Sequence, residues 1–382
     1  MFPLRRATLG GGVFRDEFSV AFDGTDDFIE LGSQDGDLRL SGSNGAIIAW
    51  IKPTLTGDDN QRIVDKSSSG SANSGYALVF EKNGRIKGDI NVATVVQTST
   101  GVLVADKWQQ ITWTWDGTTH SIYVNGKLIV SSTDSTQPPS DTTNMRIGTW
   151  NHSTGREYQG SMSEVVIYNK GLSSSEVKTI YNGREAYNHK EGVCFNNLVA
   201  WYRMGDGALD RFGKASSTAH QNGIITDVVN AKLGNDLVTN GDFSNWTGDN
   251  PDNWTVNGET SDNTISQSGN AVRMIFTTGD ALYIEQNILT ANKTYKVTID
   301  CTAISSGAFR VQDTNETDEF PINPINATGS YVGYFKATGT ALRIFRNAAV
   351  DATFTNVTCR EVLGNNGIML SMTGTNITGN TP

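Results

Sequence analysis

Apolar and polar residues alternate along short stretches of this chain, and turn dipeptides separate several of these stretches. The clearest series joins alternating apolar residues to two such dipeptides: Ile111, Trp113, Trp115, Asp116-Gly117, Ile122, Val124 and Asn125-Gly126. A period of two places every second side chain on one face of a strand, and Asp-Gly and Asn-Gly supply the positive φ angles of tight hairpins. The series therefore predicts an antiparallel meander with Trp113 and Trp115 in the core.

Asn-Gly dipeptides recur elsewhere, at Asn83-Gly84, Asn222-Gly223, Asn240-Gly241 and Asn257-Gly258. Short strands separated by such turns predict β-sandwiches. Residues 174–187 favour a helix instead, because Ser173 and Glu176 form a capping box ahead of apolar residues at helical spacing. At about 150 residues per domain, a chain of 382 residues predicts two domains.

Charge and composition exclude several classes of protein. Thirty basic against forty acidic side chains give a net charge of -10, which disfavours a general electrostatic affinity for nucleic acid. No apolar run approaches the length of about 18 residues expected of a membrane span, so we expect no membrane insertion. The first residues lack the apolar stretch of a secretory signal, and we expect the chain to stay where it is made. Three scattered cysteines predict no disulfide framework, and Cys301 is in phase with apolar neighbours, as expected of a core residue.

Four segments of the first half contain between them a Trp-rich strand before Asp-Gly, a Tyr-x-Asn-Gly hairpin and a Leu-Ser-x-x-Glu helix start. They are FSVAFDGTDDFIELG (18–32), AIIAWIKP (46–53), WQQITWTWDGTTHSIYVNGKLI (108–129) and MRIGTWNHSTGREYQGSMSEVVIYNKGLSSSEVKTIYN (145–182). In these motifs the chain resembles laminin-G-like domains of the concanavalin A type. The resemblance implies a jelly roll of two antiparallel sheets that commonly binds glycan or protein, with calcium in some members. Members often carry Ile-Asp-Glu after the glycine that matches Gly160, where this chain has Ser161-Met162-Ser163-Glu164.

Two later segments carry further resemblances. LVAWYRMGDGALDRFGKASSTAHQNG (198–223) resembles a segment that recurs beside laminin-G-like domains in structural proteins of tailed bacteriophages, especially marine ones. LVTNGDFSNWTGDNPDNWTV (237–256) resembles the opening of carbohydrate-binding modules often appended to xylanases and glucanases.

The predicted fold class is all-β, with two antiparallel jelly-roll β-sandwiches in tandem, a flexible N-terminal arm and one short helix. The predicted segments are a basic arm over 1–15, a laminin-G-like jelly roll over 16–187, a bridge over 188–234, a carbohydrate-binding-module-like jelly roll over 235–363 and a tail over 364–382. Alternating apolar residues after 256 suit the second jelly roll.

No catalytic residues are predicted. Glycoside hydrolysis needs two carboxylates about 5 to 9.5 Å apart, and the laminarinase-type pattern Glu-x-Asp-x-x-Glu does not occur in the chain. The four histidines show no metal spacing, and no nucleophile elbow or phosphate-binding loop appears. We therefore expect a protein without enzymatic activity and without a required cofactor.

Candidate ligand contacts come from loops. Trp150 and Trp246 lie among turn residues and are the glycan-binding candidates, since a sugar face stacks on an indole. Carboxylates that could bind calcium through oxygen are Asp23, Asp26, Asp27 and Asp242; the alternative is that these acids lie in solvated loops.

Three functions remain open at this point. The first is a virion structural protein of a tailed bacteriophage, a fibre or head decoration assembled in the host cytoplasm, whose partners are coat, portal or tail proteins and cell-surface glycan. The second is a cellular lectin or adhesin, and the third a polysaccharide-degrading enzyme. Fibres are often trimeric, which suggests a homo-oligomer, although no residue here sets the stoichiometry. Attachment to the virion is assigned to apolar and basic residues of the arm: Phe2, Leu4, Arg5, Arg6 and Phe14.

Overall fold

The structure is a computed structural model of the chain. It describes all residues except 1–13, 32–36, 43, 58, 68–74, 92, 140–142, 151–154, 207–223, 226, 231, 280, 316–322, 365 and 373–375. The chain divides into two compact units, each built from segments that are distant in sequence. The first unit comprises Met1–Ala208, Asp227–Val229 and Asn376–Pro382, and the second comprises Leu209–Thr226 and Asn230–Thr375.

The first unit is a sandwich of antiparallel strands with one α-helix. Its strands are β1 (Ser19–Asp23), β2 (Phe28–Glu30), β3 (Gly45–Pro53), β4 (Gln61–Lys66), β5 (Tyr76–Phe80), β6 (Ile86–Ile90), β7 (Ala93–Gln97), β8 (Gln109–Trp115), β9 (Thr119–Val124), β10 (Lys127–Thr133), β11 (Arg146–Ile147), β12 (Gln159–Tyr168), β13 (Leu198–Tyr202) and β26 (Ile377–Thr378). One sheet has the order β10-β9-β8-β3-β12-β1-β26, with β13 also paired to β12, and the other has the order β2-β11-β4-β5-β6-β7. The all-β prediction is confirmed.

The predicted meander forms β8, β9 and β10, and its two tryptophans fill the space between the sheets. Trp113 and Trp115 are fully buried, with ring centroids 4.8 Å apart. Gly88 of the opposite sheet lies beneath Trp113, where a Cβ atom would come within 2.5 Å of the indole. The turn uses positive φ angles of 51° at Asn125 and 72° at Gly126, as the sequence predicted.

The helix is shorter than predicted. α1 spans Ser174–Tyr181 and begins at the predicted capping box, in which the Ser173 side chain accepts from the backbone of Glu176. It ends at Asn182 rather than at 187 because Asn182 and Gly183 adopt positive φ angles of 49° and 65°. Single 3-10 turns occur at Asp37–Arg39, Asn182–Arg184, His189–Glu191 and Phe195–Asn197.

Two predicted connecting segments contribute strands to the first unit. β13, from the predicted bridge, pairs with β12 and is buried along its whole length. β26, from the predicted tail, pairs with β1. Whether 16–187 and 235–363 fold on their own therefore stays a prediction, and the compact units have different boundaries from the predicted segments.

The second unit is also built from antiparallel strands. They are β14 (Ile224–Ile225), β15 (Lys232–Asp236), β16 (Trp246–Thr247), β17 (Asn250–Pro251), β18 (Thr255–Asn257), β19 (Thr264–Gln267), β20 (Val272–Phe276), β21 (Tyr283–Gln286), β22 (Thr294–Asp313), β23 (Gly329–Lys336), β24 (Leu342–Leu363) and β25 (Gly367–Leu370). The main sheet has the order β18-β21-β24-β20-β19, with β15 and β22 also paired to β24 and β23 to β22. β16 and β17 form a separate hairpin, and β14 pairs with β25.

Two long bent strands shape this second unit. The pairing of β22 with β24 shifts register at four places, the last between Gly307 and Phe309. Bulges bend a strand, so both ends of β22 reach the core while its middle is exposed. Cys301 lies in that core with 2% of its surface exposed, which confirms its predicted position.

No helix among the described residues is long and apolar enough to cross a membrane.

Substituting Gly88→Ala tests the packing between the two sheets of the first unit. The added methyl group would overlap the rigid Trp113 indole, so we expect the free energy of unfolding to fall by about 1–3 kcal/mol. Gly42→Ala is the matched control, because a Cβ atom there meets nothing within 4 Å. Chemical denaturation measures both variants. Equal stability of the two would contradict the described packing.

Candidate functional site

A cavity of about 340 Å³ lies in the first unit, beside strands β4 to β7. Its lining is Asn60, Arg62, Ser67, Gly75, Tyr76, Ala77, Lys87, Asp89, Thr94, Trp150 and Arg156. Lys87 and Asp89 flank Gly88 on β6, and because strand side chains alternate they face away from the Trp113 side that Gly88 occupies. The packing of the core thus determines which charged residues reach the cavity.

Arg62 is the buried cation of this cavity, with 5% of its surface exposed. Its Nε lies 3.0 Å from Asp65 Oδ2, and its Nη1 lies 3.7 Å from Asp89 Oδ2. Burial lowers the pKa of Arg62, whereas the two carboxylates raise it. Asp65 is fully buried and also accepts from the backbone and hydroxyl of Ser67. This network fixes Arg62 in place.

Trp150, a predicted glycan contact, carries an arginine on its ring. The guanidinium carbon of Arg156 is 3.9 Å from the centroid of the Trp150 ring, and that of Arg62 is 5.9 Å away. Such cation–π contacts hold a guanidinium in a defined orientation. Trp150 therefore supports a cation at this cavity, and its predicted contact with glycan stays a prediction.

The remaining polar groups surround this pair. Lys87 donates a hydrogen bond to Asn60 Oδ1, and its Nζ lies 3.1 Å from Glu81 Oε1. Burial would raise the pKa of Glu81, but hydrogen bonds from Asn83 and Lys87 outweigh it and lower that pKa. Asp89 Oδ1 accepts from the Thr94 hydroxyl at 2.7 Å.

Sequence reasoning found Trp150 but missed Arg62, Lys87, Asp89 and Arg156. These residues come from β4, β6 and a loop before β12, and only the strand pairing brings them together. The one sequence signal was the alternation of Lys87 and Asp89 with apolar Ile86 and Ile90, which indicates a charged strand face.

Trp246, the other predicted glycan contact, lies in the second unit at the start of the β16–β17 hairpin. It is half-buried, and its Nε1 donates to the backbone oxygen of Phe243 at 2.8 Å. An open cavity of about 620 Å³ beside it is lined also by Asp249 and Glu259. The described lining of this second cavity therefore carries a negative charge, whereas that of the first cavity carries a positive charge.

Three of the four calcium candidates come together. Carboxylate oxygens of Asp23, Asp26 and Asp27 lie within 4.8 Å of one another. The pKa of Asp27 is raised to about 6, chiefly by burial and also by the charges of Asp23 and Asp26, against hydrogen bonds from the Asp23 backbone and Asn376 that lower it. Asp242 lies in the second unit, where it caps Ser244, outside any such cluster of described acids. The oxygens of the trio are of the type that calcium prefers.

Of the predicted attachment residues, the structure describes only Phe14. Its ring lies 5.6 Å from that of Trp201, and the Arg203 guanidinium carbon is 4.4 Å from its centroid. Phe14 thus packs on the first unit, which differs from its expected place in a free arm. Phe2, Leu4, Arg5 and Arg6 lie outside the described residues.

Glu164, from the segment that departs from the resembled family, belongs to a buried ionic cluster. Arg203 Nε lies 3.3 Å from Glu164 Oε1, and Arg203 Nη2 lies 3.1 Å from Asp16. Burial raises the pKa of Glu164, and the nearby Asp16 raises it further. The indole of Trp201 donates to the other Glu164 oxygen. Both oxygens of Glu164 are engaged within the fold, so this cluster secures β12, β13 and the start of the unit.

Comparison with known proteins agrees with the fold of the first unit. Residues 23–178 match a laminin G family model described as the concanavalin A-like lectin/glucanases superfamily. No curated protein matches the chain in sequence.

Several solved structures are similar to parts of this chain. A Bacteroides ovatus protein provisionally described as carbohydrate-binding is 15% identical with a TM-score of 0.40, over 55% of this chain and 56% of that one. The CBM40 module of a Ruminococcus gnavus sialidase, solved with α2,3-sialyllactose, is 13% identical with a TM-score of 0.37, over 45% of this chain and 100% of the module. A Trypanosoma rangeli sialidase is 20% identical with a TM-score of 0.31, over 37% of this chain and 23% of the enzyme.

The Asp27 carboxyl gives the first unit a testable pH dependence. Because its pKa is raised to about 6 in the fold from 3.8, the folded state binds the proton more tightly than the unfolded state. We therefore expect the melting temperature, relative to that of Asp27→Asn, to rise as the pH falls from 7 to about 4. Thermal melts across this range measure it. A difference that is constant with pH would contradict the described burial of Asp27.

The same melts in calcium-containing buffer test the calcium hypothesis. A bound cation requires ionised carboxylates, so it would stabilise the wild type at neutral pH and remove the gain on acidification. No effect of calcium would leave the trio as loop acids.

Proposed function

We propose that this protein binds glycans without cleaving them, and that the cavity beside Trp150 in the first unit is a principal binding site. The observation that carries the proposal is the convergence of an indole, two guanidinium groups, an ammonium, an amide and a carboxylate on one cavity. Saccharide hydroxyls both donate and accept hydrogen bonds, so a site of mixed donors and acceptors beside an aromatic ring suits them. The family match over residues 23–178 supports this reading.

Each group has a defined part in such binding. Asp89 would accept from sugar hydroxyls, while Lys87 and Arg156 would donate to them. The exposed part of the Trp150 indole would contact apolar C–H groups of the ring. A single shallow site of this kind binds weakly, and the cavity at Trp246 would add a second contact that raises avidity.

The carboxylates of the first cavity argue against hydrolysis. Asp89 is the one carboxylate among the described residues that line it. Asp65, behind Arg62, is fully buried and occupied by Arg62 and Ser67. Hydrolysis of a glycosidic bond needs two carboxylates that flank the substrate, and this arrangement offers one.

Replacing Trp150 tests the site. Trp150→Ala removes both the indole and the support of Arg156, and we expect affinity for a bound polysaccharide to fall by at least about tenfold, equivalent to about 1.4 kcal/mol. Trp108→Ala is the control, since Trp108 is a half-buried tryptophan of the same unit outside the cavity lining. Affinity electrophoresis against plant, algal and bacterial polysaccharides measures binding, with thermal melts to verify folding.

Two results would contradict this proposal. Unchanged binding by Trp150→Ala would move the site elsewhere. Release of reducing ends by the pure protein, abolished by a single Asp or Glu substitution, would show an enzyme.

We further propose that the chain acts as a virion structural protein of a tailed bacteriophage, with a cellular lectin as the alternative. The support is the resemblance of residues 198–223 and the apolar, basic composition of residues 2–13. In a phage that encodes this chain, deletion of residues 2–13 of the protein should abolish its incorporation into phage particles. The thermal transitions of the purified protein should stay unchanged. Normal incorporation of the shortened chain into particles would contradict the attachment role. Recovery of the unshortened chain in the cell fraction, and not in purified particles, would favour the cellular lectin.

A further inference from the structure

We propose that the first-unit cavity selects acidic saccharides, with Arg156 binding a carboxylate or sulfate ester of the sugar. This inference rests on the proposed glycan binding and names the ligand class of the same cavity. It follows from a comparison of the charged side chains at the cavity. Some of them form ion pairs within the protein, and one is left to pair with a ligand.

Among the described residues, the carboxylates near the cavity pair with two of its three cations, Arg62 and Lys87. Asp65 and Asp89 both lie within 4 Å of the Arg62 guanidinium, and Glu81 pairs with Lys87 at 3.1 Å. Arg156 makes no ion pair with any residue in the described part of the chain, and its guanidinium lies over the Trp150 ring. Arg156, which lies over the Trp150 ring, is therefore the one of these three cations that has no carboxylate partner among the described residues.

The stacked geometry suits recognition of an anion. A guanidinium lying on an indole keeps its N–H groups at the rim of the plane, where two parallel hydrogen bonds to a carboxylate or sulfate can form. Because Trp150 already orders the arginine, less side-chain entropy is lost when the ligand binds.

Arg62 strengthens the preference. Its guanidinium and that of Arg156 both approach the Trp150 ring, at 5.9 and 3.9 Å, and the positive charge of Arg156 lowers the pKa of Arg62 in addition to the larger effect of burial. An anion bound by Arg156 would relieve this repulsion. A neutral sugar at the same place would accept hydrogen bonds from Arg156 but would desolvate its positive charge without supplying an opposite one, which costs binding free energy.

Matched polysaccharide pairs test the charge preference directly. Polygalacturonate against methyl-esterified pectin isolates the carboxylate, and dextran sulfate against dextran isolates the sulfate ester. We expect the acidic member of at least one pair to bind at least about tenfold more tightly, with the difference shrinking as ionic strength rises. The pair that shows the difference identifies the acidic group.

Variants locate the effect. Arg156→Gln should remove most of the difference between the members of a pair, whereas Arg156→Lys, which keeps the charge but loses the planar fork, should keep part of it. Lys178→Gln is the control for loss of one positive charge, because Lys178 is exposed on α1 outside the cavity lining. Thermal melts establish that each variant is folded.

The outcomes separate this inference from the function on which it rests. Equal binding of acidic and neutral members, abolished by Trp150→Ala, would overturn the acidic preference and leave glycan binding intact. Equal losses in Arg156→Gln and Lys178→Gln would also overturn it, since the attraction would then be a general charge effect. Binding to no polysaccharide at all would overturn the proposed function itself.

Discussion

The contact between Trp113 and Gly88 is the constraint on which the first unit depends. The indole spans the space between the two sheets, and only a residue without a Cβ atom fits beneath it. Trp115 extends the same layer, with its ring 6.5 Å from that of Tyr76 on the opposite sheet. With Gly88 directed at the core, the neighbouring Lys87 and Asp89 must face the other way, because strand side chains alternate. One face of β6 therefore packs in the core, and its other face presents charged side chains to the cavity.

The cavity is held by interactions that also stabilise the fold. Breaking a buried ion pair by removing one partner typically costs about 3–5 kcal/mol, since the remaining charge is left uncompensated. Arg62 with Asp65 is such a pair, whereas Arg156 is half-buried and rests on Trp150. The site therefore combines a buried ion pair, which holds Arg62 in place, with a second cation, Arg156, that is available to a ligand. This division makes Arg156 the residue at which binding can be changed with least effect on folding.

Local features of the fold could be predicted from sequence, and non-local ones could not. The meander with its buried tryptophans and the capped start of α1 depend on residues a few positions apart, and all were confirmed. The helix end was wrong by several residues because Asn182-Gly183 adopts the left-handed conformation, which the apolar spacing alone did not reveal. The cavity joins Arg62, Lys87 and Arg156 through strand pairing across nearly a hundred residues, so the sequence indicated only Trp150, from its place among turn residues. The arginine that lies on the Trp150 ring had no sequence signal.

Occupation of the cavity beside Trp150 by a saccharide is tested most directly by the indole N–H signals of the protein. The chain has eight tryptophans, whose indole groups give separate signals in an ¹H–¹⁵N correlation spectrum of the labelled protein. Titration with an acidic oligosaccharide should shift the Trp150 indole signal, assigned by substitution, while the buried Trp113 and Trp115 signals stay in place. A titration that saturates with the Trp150 signal unmoved would contradict the account, because the ligand would then bind outside this cavity.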